Sequence, residues 1–488
     1  MKKFNLPLLV FLLISLLFIF LRVYKIDQSF YLFGDVGRDL FVLQDWSENL
    51  LKPPLLGPQT SAISFNQSAI YFYYLFPFFA LLNHSVYSTL IATIFLYLMV
   101  FGWLFYWYRK NSIYQWRLLA LFFWVAIHPQ FVLQQRLVWN PSLIAPFLVL
   151  SFWGWLEYQL KPKKIWLLVM MFSLATAASL NYSILPTVLA FILVFSWQQR
   201  PSLKLFLTTL LYGIFSAIVL NLPTLAFEIR HNFLLTRSFS NQEVLQQDHS
   251  LVNKFLMLTT NVIWPKYFNN LSIWLFIFIV LFLVVIFLKN KNYFKSNQIQ
   301  TNSFIFSFLV FICSVVLLLV TPLTMHEHYM FGVLSFLLIT LATLPKKYLW
   351  LTLFISSWFY LQPNYFLRYQ SRAPHLAEEK ISCLQNFCNQ RINQGFAKQN
   401  IFVNTHSASH NHQALEYVFL LKEFGCRAID TQQFNATPVT EMLVVADRAT
   451  FENGKTSYYE LSQFGEATEV SILDCKENLR LHYLTKNN

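Results

Sequence analysis

Ala69-Ile-Tyr-Phe-Tyr-Tyr-Leu-Phe-Pro-Phe-Phe-Ala-Leu-Leu82 is the run whose reading decides the topology of this chain. It is apolar and short, it carries Pro77, and it is bounded by Asn66-Gln67 and Asn83-His84. A helix that crosses a bilayer core needs about 20 apolar residues, whereas runs of about 10–14 suit re-entrant or interfacial segments. If this run crossed, Arg109, Lys110 and Arg117 would lie outside and every later basic turn would be inverted. Read as non-spanning, it leaves all the basic turns on one side, and that is the reading adopted.

The surrounding composition is that of a polytopic membrane protein. Of the 488 residues, 56% are hydrophobic and only 12% charged, against about a quarter charged in soluble domains. The formal charge of +13 invites a nucleic-acid reading. The Lys and Arg residues, however, sit in short clusters between apolar runs, as in cytoplasmic turns, so a nucleic-acid partner is rejected. Met1-Lys-Lys before the run 6–21 resembles a signal peptide, yet no small-residue cleavage site follows and Arg22 comes next. The run is read as an uncleaved first span, with Lys2 and Lys3 keeping the N-terminus inside.

Further spans are expected near 87–108, 118–133, 141–160, 165–180, 182–197, 203–225, 271–288, 303–320, 329–344 and 348–361, making about eleven in all. The fold class is therefore mainly α, a polytopic transmembrane helical bundle. Its membrane domain occupies residues 1–361, with outer loops at 24–86 and 226–270. From 362 to 488 the composition becomes that of a soluble α/β domain, with helices near 376–394 and 413–424 and strands near 401–404 and 442–446. An odd number of crossings places this domain outside the cytoplasmic membrane. Its cysteines, Cys383, Cys388, Cys426 and Cys475, are then free to form disulfides, with three possible pairings. Cys313 lies within a span and is read as packing.

Acidic residues are scarce, and those of the membrane part collect on the outer side. Phe33-Gly-Asp-Val-Gly-Arg-Asp39 is the most charged stretch there. Asp35 precedes an amphipathic pattern and reads as a helix N-cap that can also aim a carboxylate. Arg38 and Asp39 follow within one turn, while Asp45 and Glu48 look like a solvated face. Arg136 and Asn140 fall on a second outer turn, 134–140; a guanidinium suits bidentate oxygens, and Asn140 before Pro141 is also a good helix start. The third turn carries His326, Glu327, His328 and Tyr329. Two histidines flanking a glutamate do not make the zinc-protease helix motif, but they can hold a lipid phosphate or a metal. Tyr73, in an aromatic row from Tyr71 to Tyr74, can line a lipid entry. His406, His410 and His412 lack cysteine partners and are not read as a metal site. Glu228, Arg230, His231 and Arg237 read as a solvated juxtamembrane face in preference to a second phosphate-binding group, and there is no Gly-rich phosphate loop.

Taken together, Arg22-Val-Tyr24 at the end of the first span, Gly34-Asp35 in a long outer loop, the proline-plus-aromatic run, Gln135-Arg136 to Asn140, and His328-Tyr329 form a pattern. It resembles the GT-C superfamily of membrane glycosyltransferases, especially bacterial relatives of protein O-mannosyltransferases and of the lipid A aminoarabinose transferase. The resemblance covers roughly the first 360 residues. Those families place an acid of the first outer loop at the catalytic centre, and Asp35 is the match. They commonly have Asp-Glu there, where this chain has Asp35-Val36, and often a second Asp where this chain has Asn140.

The resemblance implies transfer of a sugar from a polyprenyl-phosphate-linked donor to a hydroxyl acceptor on a lipid, glycan or protein, at the outer face of the cytoplasmic membrane. Asp35 would be catalytic; Arg38, Asp39, Tyr73, Arg136, Asn140, His326, Glu327, His328 and Tyr329 would bind substrate. It also implies an inverted anomeric product and no cofactor, a divalent metal being admissible but not required. Membrane lipids complete the partners. The rival is a transporter or flippase of lipid-linked saccharides. The spans lack the deep charges and Gly interruptions that transport pathways use, which favours the enzyme.

Overall fold

The computed structural model describes residues 5–27, 29–30, 32, 34–60, 66–137, 139–199, 202–240, 250–263, 271–321, 326–361, 377–396, 398–406, 414–430, 439–447, 464–475 and 479–486. The chain divides into two compact units. One comprises Met1–Val23, Pro54–Tyr74 and Thr89–Tyr365; the other comprises Tyr24–Pro53, Leu75–Ser88 and Phe366–Asn488.

In chain order the first helices are α1 (Leu6–Val23), α2 (Gly34–Glu48), α3 (Ile70–Leu81), α4 (Ser88–Trp107), α5 (Ser112–Ile127) and α6 (Pro129–Leu137). Then come α7 (Ile144–Leu160), α8 (Lys164–Leu180), α9 (Leu185–Gln199), α10 (Leu203–Leu220), α11 (Leu222–Arg230), α12 (Leu234–Ser240) and α13 (Leu251–Ile263). The series continues with α14 (Leu271–Lys289), α15 (Lys291–Ser296), α16 (Gln298–Val320), α17 (Phe331–Ala342), α18 (Lys346–Tyr360), α19 (Ala377–Asn393) and α20 (Leu415–Glu423).

The first unit is a helical bundle. Among the described residues, seven helical segments are long and apolar enough to cross a membrane, and the bent pair α5 and α6 would make an eighth. The expected segments are helical, but 118–133 is broken between α5 and α6, and α8, α17 and α18, of 17, 12 and 15 residues, are not among the seven. Helix α17 is buried on almost every side, so packing rather than length holds it in place. Where α7 meets α8, Gly154 lets the backbones close up until a Cβ would stand 2.9 Å from the Met170 nitrogen. Small residues at membrane helix interfaces work in this way, since apolar lipid gives no hydrophobic drive to association. The run that opened the sequence reading forms α3, a helix of 12 residues with Pro77 inside it, below the length a crossing needs.

The second unit is a mixed sheet with helices against it. Its strands are β1 (Ile401–His406), β2 (Ala428–Ile429), β3 (Glu441–Asp447), β4 (Ala467–Asp474) and β5 (Leu479–Lys486), in the order β2-β1-β3-β5-β4. β1 runs parallel to β2 and β3, and β5 runs antiparallel to β3 and β4. Phe402, Ile429, Met442, Val444, Phe464 and Leu484 form part of its core. Strands β1 and β3 and both helices lie near the expected positions; β2, β4 and β5 were not expected. The cysteines pair as Cys383 with Cys475 and Cys388 with Cys426.

Residues 24–53 and 75–88, read from the sequence as an outer loop, cluster with this unit. The physical reason is α2, whose Val36, Leu40 and Leu43 are fully buried and need an apolar partner face. Helix α20 supplies it. Gly37 lies so close to α20 that a Cβ there would meet the Glu416 Cβ at 2.2 Å. Gln44 Nε2 donates to Glu423 Oε1 at 2.6 Å, and Trp46 stacks on Phe76 with centroids 4.0 Å apart. Lys380, buried, donates to the Leu32 carbonyl at 2.6 Å and to Glu416 Oε1 at 3.3 Å.

Candidate active site

In the first unit the candidate residues are organised by the break between α5 and α6. His128 caps the C-terminus of α5 and Pro129 opens α6, turning the chain by 62°. Proline has no N–H to give the preceding turn and clashes with its carbonyl, so the helix ends there. Residues 134–137 are thus helical, not part of an outer turn as the sequence reading had them. The corner Trp139-Asn140 then leads into a 3-10 turn, Asn140–Leu143.

Two buried arginines join this break to the first helix. Arg136 Nη1 donates to the Leu21 and Arg22 carbonyls at 3.2 and 3.1 Å, at the C-terminal end of α1. Arg22, with no exposed surface, donates to the Val125 and Ala126 carbonyls at the end of α5, at 2.9 and 2.5 Å, and to Gln135 Oε1 at 2.7 Å. Each arginine caps the helix that the other stands beside, and the cation suits the negative end of the helix dipole. Asn140 is likewise structural in its contacts: its Nδ2 donates to Gln67 Oε1 and to the Leu180 carbonyl, the latter at 2.7 Å, tying the corner to the end of α8.

Against α6 lies the turn that precedes α17, Glu327–Met330. Gln134 links the two, donating from Nε2 to Glu327 Oε2 at 3.3 Å and accepting from Trp139 Nε1 at 2.9 Å. The rings form one cluster. His326 and His328 are nearly parallel with centroids 5.6 Å apart, and His328 meets Tyr329 edge-on at 4.6 Å and Trp139 edge-on at 4.7 Å. Burial pushes both imidazoles below the ordinary histidine range, His328 to about 3, with His326 adding to the effect. Neutral, each presents one N–H donor and one acceptor nitrogen. Tyr73 lies elsewhere in this unit, its hydroxyl donating to the Pro54 carbonyl at 3.0 Å. Met325 is outside the described residues.

In the second unit, α2 begins at Gly34, so Asp35 sits in its first turn instead of at the cap position expected. Arg38 holds it: Nη1 reaches Asp35 Oδ1 at 2.9 Å, while Nε and Nη2 reach Asp39 Oδ1 at 3.1 and 2.9 Å. One guanidinium therefore bridges two carboxylates of unequal exposure. Asp39 is buried at 1%, whereas the Asp35 side chain is 46% exposed and can meet a solute. Asp45 and Glu48 are exposed, as expected of a solvated face.

No family model matches the sequence, and no curated protein matches it. Solved structures do. ArnT from Cupriavidus metallidurans in the apo state superposes with a TM-score of 0.60 at 10% identity, covering 97% of each chain. ArnT from Cupriavidus metallidurans bound to undecaprenyl phosphate superposes with a TM-score of 0.59, also at 10% identity, over 98% of this chain and 97% of that one. The chain shares the ArnT fold.

Within this ArnT-like fold, sequence reasoning missed Arg22 and the glutamines as structural participants. Gln130, Gln134 and Gln135 are all buried on α6, and three amides in so apolar a chain were the available signal, since buried amides require partners. Glu228 also differs from its reading as a solvated group. It is buried and accepts from the Leu235 and Thr236 backbone nitrogens at 2.9 and 3.1 Å, capping the start of α12. Burial works against its charge, but these bonds and that from the Thr236 hydroxyl outweigh it and hold the carboxyl below its usual range. His406 lies in β1, and His410 and His412 are outside the described residues. Among the described residues no three His, Cys, Asp or Glu side chains converge on a metal position.

Proposed function

We propose that this protein transfers a sugar from a polyprenyl-phosphate-linked donor to a hydroxyl acceptor, with inversion at the anomeric carbon. One observation carries the reading: the ArnT fold extends over 97% of the chain, and a structure of that fold is described as bound to undecaprenyl phosphate. In this reading the acceptor oxygen attacks the anomeric carbon and its proton passes to the Asp35 carboxylate. The bond from that carbon to the phosphate oxygen breaks, and polyprenyl phosphate leaves with the electron pair. Arg38 keeps Asp35 oriented. Within the helical unit, neutral His326 and His328, with Tyr329, offer donors suited to a lipid phosphate, and such donors act most strongly where water is excluded. Arg136 and Asn140 position the corner that faces this turn.

The proposed orientation places the N-terminus inside and the second unit outside the cytoplasmic membrane. Its support is the distribution of basic turns and the two disulfide pairs, which belong in an oxidising compartment. The test is transfer of a radiolabelled sugar from a polyprenyl phosphate carrier in membranes of verified expression. Wild-type membranes are expected to incorporate label into an acceptor and Asp35→Asn membranes are not; equal incorporation removes Asp35 from the chemistry.

A further inference from the structure

A cleft of about 730 Å³ opens among α1, α5 and α18. Leu13, Ile14, Trp116, Trp350 and Phe354 supply apolar wall. Leu13, Trp350 and Phe354 are themselves exposed, so the cleft opens sideways to whatever surrounds the bundle. Its other lining is polar: Ser112, Arg117, Tyr293 and Lys346. Arg117 is fixed in place, donating to the Thr343 and Leu344 carbonyls at 3.1 and 3.4 Å. Lys346 is exposed and is the first residue of α18, a helix of 15 residues whose N-terminus has no side-chain cap. Two cations and the positive end of a helix dipole therefore border one apolar slot.

The position separates this cleft from the candidate donor residues. Ser112 and Ile127 are the two ends of α5, and the intervening 15 steps span about 22 Å. The cationic part of the cleft, at Arg117 and Lys346, lies towards the Ser112 end, with apolar lining running on to Phe123, whereas α6, Arg136 and the imidazole turn follow the Ile127 end. It is also the end carrying the basic turns, and Trp116 and Trp350, with ring centroids 6.1 Å apart, stand as an interfacial pair would.

We infer that this cleft holds one anionic glycerophospholipid, its acyl chain along the apolar wall and its phosphate between Lys346 and Arg117. The charge decides the headgroup and the apolar length decides for a lipid over a free anion. An exposed lysine beside a lipid phosphate contributes attraction that falls with its charge, while the carbonyl-bonded Arg117 sets the position.

The experiment uses the full chain in nanodiscs of phosphatidylcholine doped with phosphatidylglycerol bearing a photoreactive diazirine on its acyl chain. Label is expected in peptides covering 112–123 and 344–357, the segments that line the cleft. Lys346→Gln, a surface change, is expected to lower that label about fivefold. Trp350→Ala should lower it as well, with both variants eluting as the wild type does. Diazirine-phosphatidylcholine should label these peptides severalfold less, since their exposed apolar side chains meet bulk lipid in either case. Equal labelling by the two lipids, labelling unchanged in Lys346→Gln, or label confined to other segments would overturn the proposal. So would displacement by inorganic phosphate alone, which would assign the cations to a free anion.

Discussion

At the scale of single residues the two acidic candidates of α2 have separate fates. Asp39 is buried under Arg38, and Asp35 is exposed from the same guanidinium. Asp35→Asn is therefore expected to keep the helix and lose transfer by about 10²-fold or more, a typical share for general-base work. Asp39→Asn should instead lower the melting temperature, because it breaks a buried pair. The imidazoles make a different prediction. Burial lowers the pKa of His326 and His328, so protonation needs a pH below the ordinary histidine value and both stay neutral through the physiological range. Binding of labelled donor is expected to stay flat between about pH 8 and about pH 6, where an ordinary histidine would titrate. A step in that interval would remove these two rings from phosphate recognition. The sequence singles out Asp35 and the His328 turn as candidates because charge is rare here. That Asn140 and Arg136 hold backbone carbonyls was not, since the partners lie 40 and 115 residues away.

Among elements, the contact of α2 with α20 is the most exacting. A methyl at Gly37 has no room beside Glu416, and overpacking of this kind costs about 1–3 kcal/mol. Gly37→Ala should thus make the second unit unfold at lower temperature in a thermal melt and be cut sooner by trypsin, while Gly102→Ala, whose Cβ would sit 3.7 Å from Phe11, should be nearly silent. Helices were the most readable elements, because long apolar runs leave few alternatives. The break at Pro129 was misplaced by several residues: apolar content continues through Phe131 and Val132, and hydropathy does not register a bend. β4 escaped because its outer position leaves most of its residues exposed and its pairing register shifts between Glu469 and Ser471. β5 carried the better signal, with Leu479 and Leu481 buried in alternation.

For the whole molecule, the change of composition near 362 falls close to the point, between Tyr365 and Phe366, where the chain passes from the helical unit to the sheet-bearing one. The recruitment of 24–53 and 75–88 to the second unit was not, because it rests on faces meeting across more than 300 residues of chain. The two disulfides bear on that unit. Cys383 and Cys475 close a loop of 92 residues, which the chain-entropy account values at about 4–5 kcal/mol. Alkylation with a maleimide should tag one cysteine, Cys313, under denaturing non-reducing conditions and all five after reduction. Tagging of all five without reduction would count against both the pairing and the extracytoplasmic placement. The crossed arginine caps have a further consequence, for biogenesis. Arg22 leaves the ribosome about a hundred residues before the α5 carbonyls that receive it, and a cation near the end of a lone first helix escapes the lipid only by reaching to the water boundary. Until α5 arrives, that arginine must stay in the translocon or at the water boundary, so α1 settles only as part of a pair. Chains arrested before α5 should then release α1 from the membrane interior more readily than Arg22→Leu chains of the same length.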